Sequence, residues 1–511
     1  MQNKISRRDF LKLAGMASLG SIIPPSVQNL KAGSIQGKKK NVLIVVFDSL
    51  TAKNISLFGY GRENMPNLTR LANRATVFHN HYASGNFTTP ATASLLTGTI
   101  PWTHRAIRFR GTVKQELANK SIFHAFDDYY RTGYSHNTLA DALLEQFSSS
   151  MEGYIPQEKY FLFNDGPIQN TFNKDADIAT IAWARDIKRE EGFSYSLFLP
   201  YLYEKYRDSL VKDVVKEYPY GLPTINLDNF YLFEECIRSL TDQVINLPQP
   251  FLSYLHFFPP HFPYKPHQDF AGAFQNGPDQ GIPKPDDIFT EGDSFEKLEK
   301  WKRYYDEFIL NVDHEFGLLF DKLESSGVLD DTWVIFTADH GEMFERGIQG
   351  HTTVTLYQPI VHIPLLIFEP GKQTRQDIYS PTSAIDLMPT LLHLTGHEIP
   401  ETVEGSILPP YANAILTPQK NLGPYTVQAR YNDVRYPLTQ ATVMHIVDNY
   451  KMVYYLGYEE LGSEPEKYLL FDIEADPEEM TELSQTKRET ATELLNIIKT
   501  KLKESNDTYT Q

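Results

Sequence analysis

Asn41-Val42-Leu43-Ile44-Val45-Val46-Phe47-Asp48-Ser49 is the stretch on which the fold turns. Residues 42–47 are apolar without a polar alternation, the pattern of a central strand covered on both faces, as in a parallel sheet. Similar runs recur at residues 251–257, 332–337 and 363–368. Between them Trp301, Tyr305, Phe308, Val312, Phe316, Leu319 and Leu323 keep helical spacing up to Gly327. This alternation predicts an α/β fold: a doubly wound, mostly parallel sheet flanked by helices.

Two regions differ in texture. Residues 105–250 are rich in tyrosine and phenylalanine with weak periodicity, and read as substrate-selecting insertions over one end of the sheet. Beyond residue 371 short strand-like runs (441–447, 451–456, 467–473) precede an amphipathic helix from Ser484, which predicts a smaller C-terminal α+β subdomain. The expected division is a catalytic domain over 38–370 and the subdomain over 371–511. At the N-terminus Ser6-Arg7-Arg8-Asp9-Phe10-Leu11-Lys12 precedes a short apolar run, residues 13–23, and Pro24-Pro25. The run is too short to span a bilayer. With its paired arginines it resembles a twin-arginine signal peptide, residues 1–32, and implies a bacterial periplasmic or extracellular protein handled by the twin-arginine export machinery. No other stretch predicts a transmembrane span.

The 511 residues suffice for a large core, and a net charge of −17 argues against a nucleic-acid partner. An anionic substrate would need a local positive centre such as a bound metal. The single cysteine, Cys236, excludes an internal disulfide or a cysteine-built zinc site.

Four places carry candidate chemistry, each at or just after the carboxyl end of a strand, where open α/β sheets bind ligands. Asp48 follows the first strand and suits either a helix cap or a metal ligand. Thr88 precedes Thr89-Pro90 where a helix starts, so its hydroxyl serves either as an N-cap or as a group held at a positive helix terminus. Asp339-His340-Gly341 is a compact oxygen/nitrogen ligand pair. His256, His261 and His351 complete the set.

In order, strand-Asp48, TTPATASLLTG, HFFPPHFPY, FTADHGE and LLFDIEADPEE make the chain similar, from about residue 40 to 483, to the sulfatase branch of the alkaline phosphatase superfamily. That resemblance implies Asp48, Thr88, Asp339 and His340 as metal ligands, Thr88 also as nucleophile, and His261 and His351 as contacts to the transferred group or proton donors to the leaving group. The departures are informative. A sulfatase carries Cys or Ser at the Thr88 position and oxidises it to formylglycine, whereas threonine, with its β-methyl, could give only a ketone. Thr92 replaces the motif's arginine, Gly133-Tyr134-Ser135-His136-Asn137 lacks the lysine of the next motif, and Thr352-Thr353-Val354-Thr355 lacks the lysine after DHG.

What remains suits phosphoryl transfer to a metal-activated hydroxyl. The expected activity is therefore metal-dependent ester hydrolysis, with a phosphodiester or other phosphoester favoured over a sulfate ester. Alternatives are a sulfatase without formylglycine, a phosphoethanolamine- or phosphoglycerol-type transferase, and an inactive binding protein. The substrate would be a small anionic ester, carbohydrate- or lipid-head-group-linked. A mixed oxygen/nitrogen site suits one divalent ion, Mn²⁺ or Zn²⁺ before Ca²⁺ or Mg²⁺. A second ion is not expected, because the three other histidines lack an evident acidic partner in the sequence.

Overall fold

The structure is a computed structural model describing residues 39–168, 195–278, 281–412 and 423–509. The expected signal segment and residues 169–194 of the expected insertions lie outside these. A nine-stranded sheet is built from β1 (Asn41–Phe47), β2 (Thr76–Tyr82), β3 (Tyr130–Ser135), β4 (Gly153–Ile155), β5 (Phe251–Phe257), β6 (Thr332–Ala338), β7 (His362–Phe368), β8 (Gln376–Ile378) and β9 (Thr382–Ser383). The spatial order is β8-β2-β7-β6-β1-β5-β3-β4, with β9 also beside β2. β7 runs antiparallel to both neighbours, and every other pairing is parallel.

β1 lies at the centre and explains its own composition. Leu43, Val45 and Phe47 enter one core with Tyr305, Phe308 and Phe316, while Val42, Ile44 and Val46 enter the opposite core with Leu95, Leu96 and Leu391. A polar side chain on either face would be buried without a partner, so the run stays apolar throughout. The flanking helices are α1 (Thr88–Thr97), α2 (Thr138–Phe147), α3 (Phe233–Ile245), α4 (Phe295–Ser325) and α5 (Leu387–Thr395). α4 carries the apolar stripe seen in the sequence. Ser294 caps its start by accepting from Lys297 N, and Gly327 at φ +78° turns the chain after its end.

The expected boundaries differ from the observed layers in two ways. The span 105–250 is not all insertion, because β3 pairs with β5 and α2 packs beside α1. Past residue 371, β8 and β9 still belong to the large sheet. The smaller sheet comprises β10 (Tyr425–Gln428), β11 (Ala441–Val447), β12 (Tyr450–Leu456) and β13 (Glu466–Asp472), antiparallel in that order. The amphipathic helix α6 (Arg488–Asp507) covers it, packing Leu494, Ile498 and Leu502 with Val443, Met452 and Leu470. The expected α/β class with a smaller C-terminal α+β part is thus observed. Among the described residues no helix is long and apolar enough to cross a membrane.

Candidate active site and metal centre

Parallel pairing of β6 with β1 sets Ala338 opposite Phe47, so the next residues, Asp48 and Asp339, emerge side by side. Asp48, Asp339 and His340 are buried, and one ligand atom from each lies within 4.8 Å of the others. His340 Nε2 is 3.3 Å from Asp339 Oδ2 and 3.6 Å from Asp48 Oδ1. Its other nitrogen, Nδ1, donates to Gly341 O at 3.0 Å, which leaves the Nε2 lone pair facing the carboxylates. Burial lowers the His340 pKa to about 4, so the ring stays neutral. Asp339 Oδ2 finds no hydrogen-bond donor. Three buried electron-pair donors turned toward one another repel unless a cation lies among them, so this cluster fits a divalent ion. Burial and the adjoining Asp48 charge raise the Asp339 pKa. Burial acts the same way on Asp48, but His261, His256 and His340 outweigh it and hold that carboxyl well below its usual range.

Local backbone makes the cluster possible. Ser49 adopts φ +62°, an uncommon value for a residue with a Cβ. It is held there by Tyr305 of α4, whose hydroxyl donates to Ser49 O at 2.6 Å and accepts from Thr51 N at 3.0 Å. Ser49 N donates to Asp339 Oδ1 at 3.2 Å and Ser49 Oγ to Asp48 Oδ1 at 3.1 Å. At Gly341 a Cβ would lie 2.0 Å from Pro359 O, so only glycine lets the strand end turn here.

Thr88 is buried at the first position of α1. The helix cap is Phe87, and no side chain bonds the end of the helix. Thr88 is therefore not the cap that its sequence position also allowed. Its Oγ1 accepts from Asn137 Nδ2 at 3.0 Å and lies 3.4 Å from His340 Nε2. Asn137 also donates from Nδ2 to Asp48 Oδ2, while its Oδ1 caps α2 by accepting from Leu139 N at 2.7 Å. Thr92, where an arginine was noted as missing, is buried within α1 and brings no charge.

The remaining histidines converge on the same place. The His340 and His351 rings are 4.2 Å apart and the His351 and His261 rings 4.9 Å apart, making a row from the carboxylates outward. His351 Nδ1 lies 3.3 Å from Glu342 Oε1 and 3.4 Å from Ser49 Oγ. Burial, then the charge of His261, lowers the His351 pKa to about 3, whereas burial pushes the Glu342 carboxyl up to about 8. His261 Nδ1 donates to Phe262 O at 2.5 Å. The sequence showed no acidic partners for these histidines, yet two have them. Glu342 faces His351, and His256 Nε2 is 3.4 Å from Asp48 Oδ2 and 3.7 Å from Asp339 Oδ2. Even so, Asp48, Asp339 and His340 form the one candidate metal cluster among the described residues. Sequence reasoning missed Asn137, Ser49 and Glu342, although Asn137 ends the very stretch noted for its absent lysine.

Fold and site define an alkaline-phosphatase-like α/β sheet with a candidate site for a divalent metal at its edge. The Sulfatase family model matches residues 40–397, and the chain belongs to that family. A second model, N-sulphoglucosamine sulphohydrolase, C-terminal, matches residues 352–508. The choline-sulfatase of Rhizobium meliloti (strain 1021) is 26% identical over 475 residues, covering 88% of this chain and 83% of that protein. The multifunctional alkaline phosphatase superfamily protein PehA of Trinickia caryophylli is 25% identical over 515 residues, covering 87% and 91%. In fold, the crystal structure of a phosphonate monoester hydrolase of Agrobacterium radiobacter superposes with a TM-score of 0.67 at 16% identity, covering 92% of this chain and 96% of that one. The chain is accordingly an ester hydrolase of the sulfatase superfamily.

Proposed function

We propose that this hydrolase cleaves phosphoesters, phosphodiesters foremost, with Thr88 Oγ1 as nucleophile. The observation that carries the reading is the position of that hydroxyl: buried at the start of α1, bonded by Asn137 and 3.4 Å from His340, beside the two carboxylates. Asp48, Asp339, His340 and Thr88 would hold one divalent ion, Mn²⁺ or Zn²⁺ by its mixed donor set, which would lower the pKa of the Thr88 hydroxyl. The α1 terminus stabilises negative charge on the phosphoryl oxygens, and Asn137 aims the Thr88 oxygen. His261, outermost in the histidine row, gives a proton to the departing oxygen, with His351 behind it. The proton that Thr88 loses on attack passes to solvent, and water then cleaves the phosphothreonine ester, its oxygen leaving on the phosphate and a proton returning to Thr88 Oγ1.

A sulfate-ester reading is favoured by the choline-sulfatase relative and by the C-terminal sulphohydrolase match. Aryl phosphodiesters, phosphomonoesters, phosphonates and sulfates tested side by side with added Mn²⁺ or Zn²⁺ separate the two. Phosphoesters are expected to lead. Thr88→Ala is expected to cost on the order of 10³-fold or more in rate, while Thr88→Ser keeps much of it. Near-normal turnover by Thr88→Ala, or sulfates outrunning every phosphoester, overturns the reading. We propose further that Arg7-Arg8 directs twin-arginine export, so that exchange of both for lysine retains the protein in the cytoplasm. Unchanged export would refute it.

A further inference from the structure

Strand β10 of the small sheet is stitched to the loop that leads into the nucleophile. Thr426 Oγ1 donates to Ala83 O, and Val427 N donates to Ser84 O at 2.9 Å. The chain leaving that strand brings Arg430 over the ring of Phe109, at 5.7 Å. Phe109 in turn lies 5.1 Å from Phe87, the residue before Thr88. On its other side Arg430 sits 4.8 Å from the Tyr431 ring and donates to the Tyr431 hydroxyl at 2.6 Å. Phe109 and Tyr431 are each 53% exposed, so two solvent-facing rings and a guanidinium stand one ring contact away from Phe87, the residue before Thr88.

The charge of Arg430 is unmatched. In a chain with 65 acidic residues against 48 basic ones, Arg62 pairs with Asp306, Arg131 with Glu152 and Arg346 with Glu345, whereas the buried Arg105 is held by Tyr436 O and the Tyr509 ring. Among the described residues no carboxylate pairs with Arg430, whose polar partner is a neutral phenol. The Phe109 ring beneath it packs on Phe87, which places Arg430 on the side of the small sheet that faces the start of α1. A planar guanidinium with donors to spare is a recognition group for a second oxyanion, and the flanking rings suit a ring between that oxyanion and the scissile ester.

We propose that Arg430, Phe109 and Tyr431 form a subsite for the leaving group, and that it takes a second anion, a carboxylate, sulfate or phosphate, carried on a sugar or aryl ring. The inference rests on the site reading above, and its test is separable from the test of that reading. Two aryl esters differing only by a ring carboxylate are compared in whichever ester class, phosphate or sulfate, the wild type turns over faster. The carboxylated ester is expected to have the higher kcat/KM by about tenfold or more, the range of one charge-assisted contact, expressed mainly in KM. Arg430→Gln brings the ratio near one, Arg430→Lys restores part of it, and Phe109→Ala weakens both esters. A wild-type ratio at or below one, or a ratio unmoved by Arg430→Gln, overturns the subsite. Turnover that survives Thr88→Ala instead removes the nucleophile assignment and leaves the ratio readable.

Discussion

The two sheets divide the work by the direction of their strands. In the large sheet β1, β5, β6 and β3 run the same way, so Asp48, Asp339, His256 and Asn137 all arrive at one edge. The small sheet is antiparallel throughout, so successive strand ends fall on opposite edges, and among the described residues the candidate metal cluster forms at the large sheet instead. What it offers is a flank. Arg430 reaches the rim, and the buried Lys451 of β12 pairs with Glu479 at 2.7 Å, which in turn accepts from Gln358 N on the segment between β6 and β7. The lesson is that a parallel edge assembles chemistry, whereas an antiparallel sheet adds contacts and stability.

The strongest way to break this contrast is at the parallel edge. His340→Ala and Asp339→Asn should each lose bound metal by elemental analysis and about 10³-fold or more in activity, with the melting temperature little changed. An active, metal-loaded His340→Ala would show that the edge does not carry the chemistry. A smaller and different effect is expected from Lys451→Met. Glu479 would be left buried and unpaired, which costs about 3–5 kcal/mol of stability in denaturant unfolding. Metal content of the folded fraction should stay at the wild-type level, and a loss matching that of His340→Ala would mean that the two sheets act as one site.

The least effect concerns acid. Burial opposes ionisation of Glu478, but Lys284 and Lys53 outweigh it and hold the carboxyl at about 2, below its ordinary 4.5. A depressed acid pKa stabilises the fold fully above the unfolded value and progressively less as pH falls from 4.5 toward 2. Glu478→Gln should flatten that part of the stability profile, and an unchanged slope would assign the acid limb to other groups.

Strand identity and the carboxylates were legible because a doubly buried strand leaves an unmistakable apolar run and its next residue must lie at the sheet edge. The same logic marked Asp339-His340. It could not give His256 a partner, because that depends on the register that sets His256 opposite Val46, two residues before Asp48. Asn137 was hidden for a similar reason. Its neighbours Thr88 and Asp48 are distant in sequence, and only the placement of β3 beside β5 joins them. Taken alone, Thr88 read first as a cap, and only the cap at Phe87 removed that choice. Arg430 carries no motif at all.

The reversed strand β7 has a consequence for how the site is roofed. Parallel neighbours need a crossover that carries the chain away from the ligand edge and back along the far side of the sheet. Because β7 runs against β6, the chain leaving Asp339 has no such journey to make, and residues 339–361 stay at the same rim from one strand to the next. That single connection brings Glu342 and His351 beside the carboxylates, and Asn86 ties it down by donating to His351 O at 3.0 Å and Thr353 O at 2.8 Å. Reversing one strand thus converts a stretch of linker into the ceiling of the chamber.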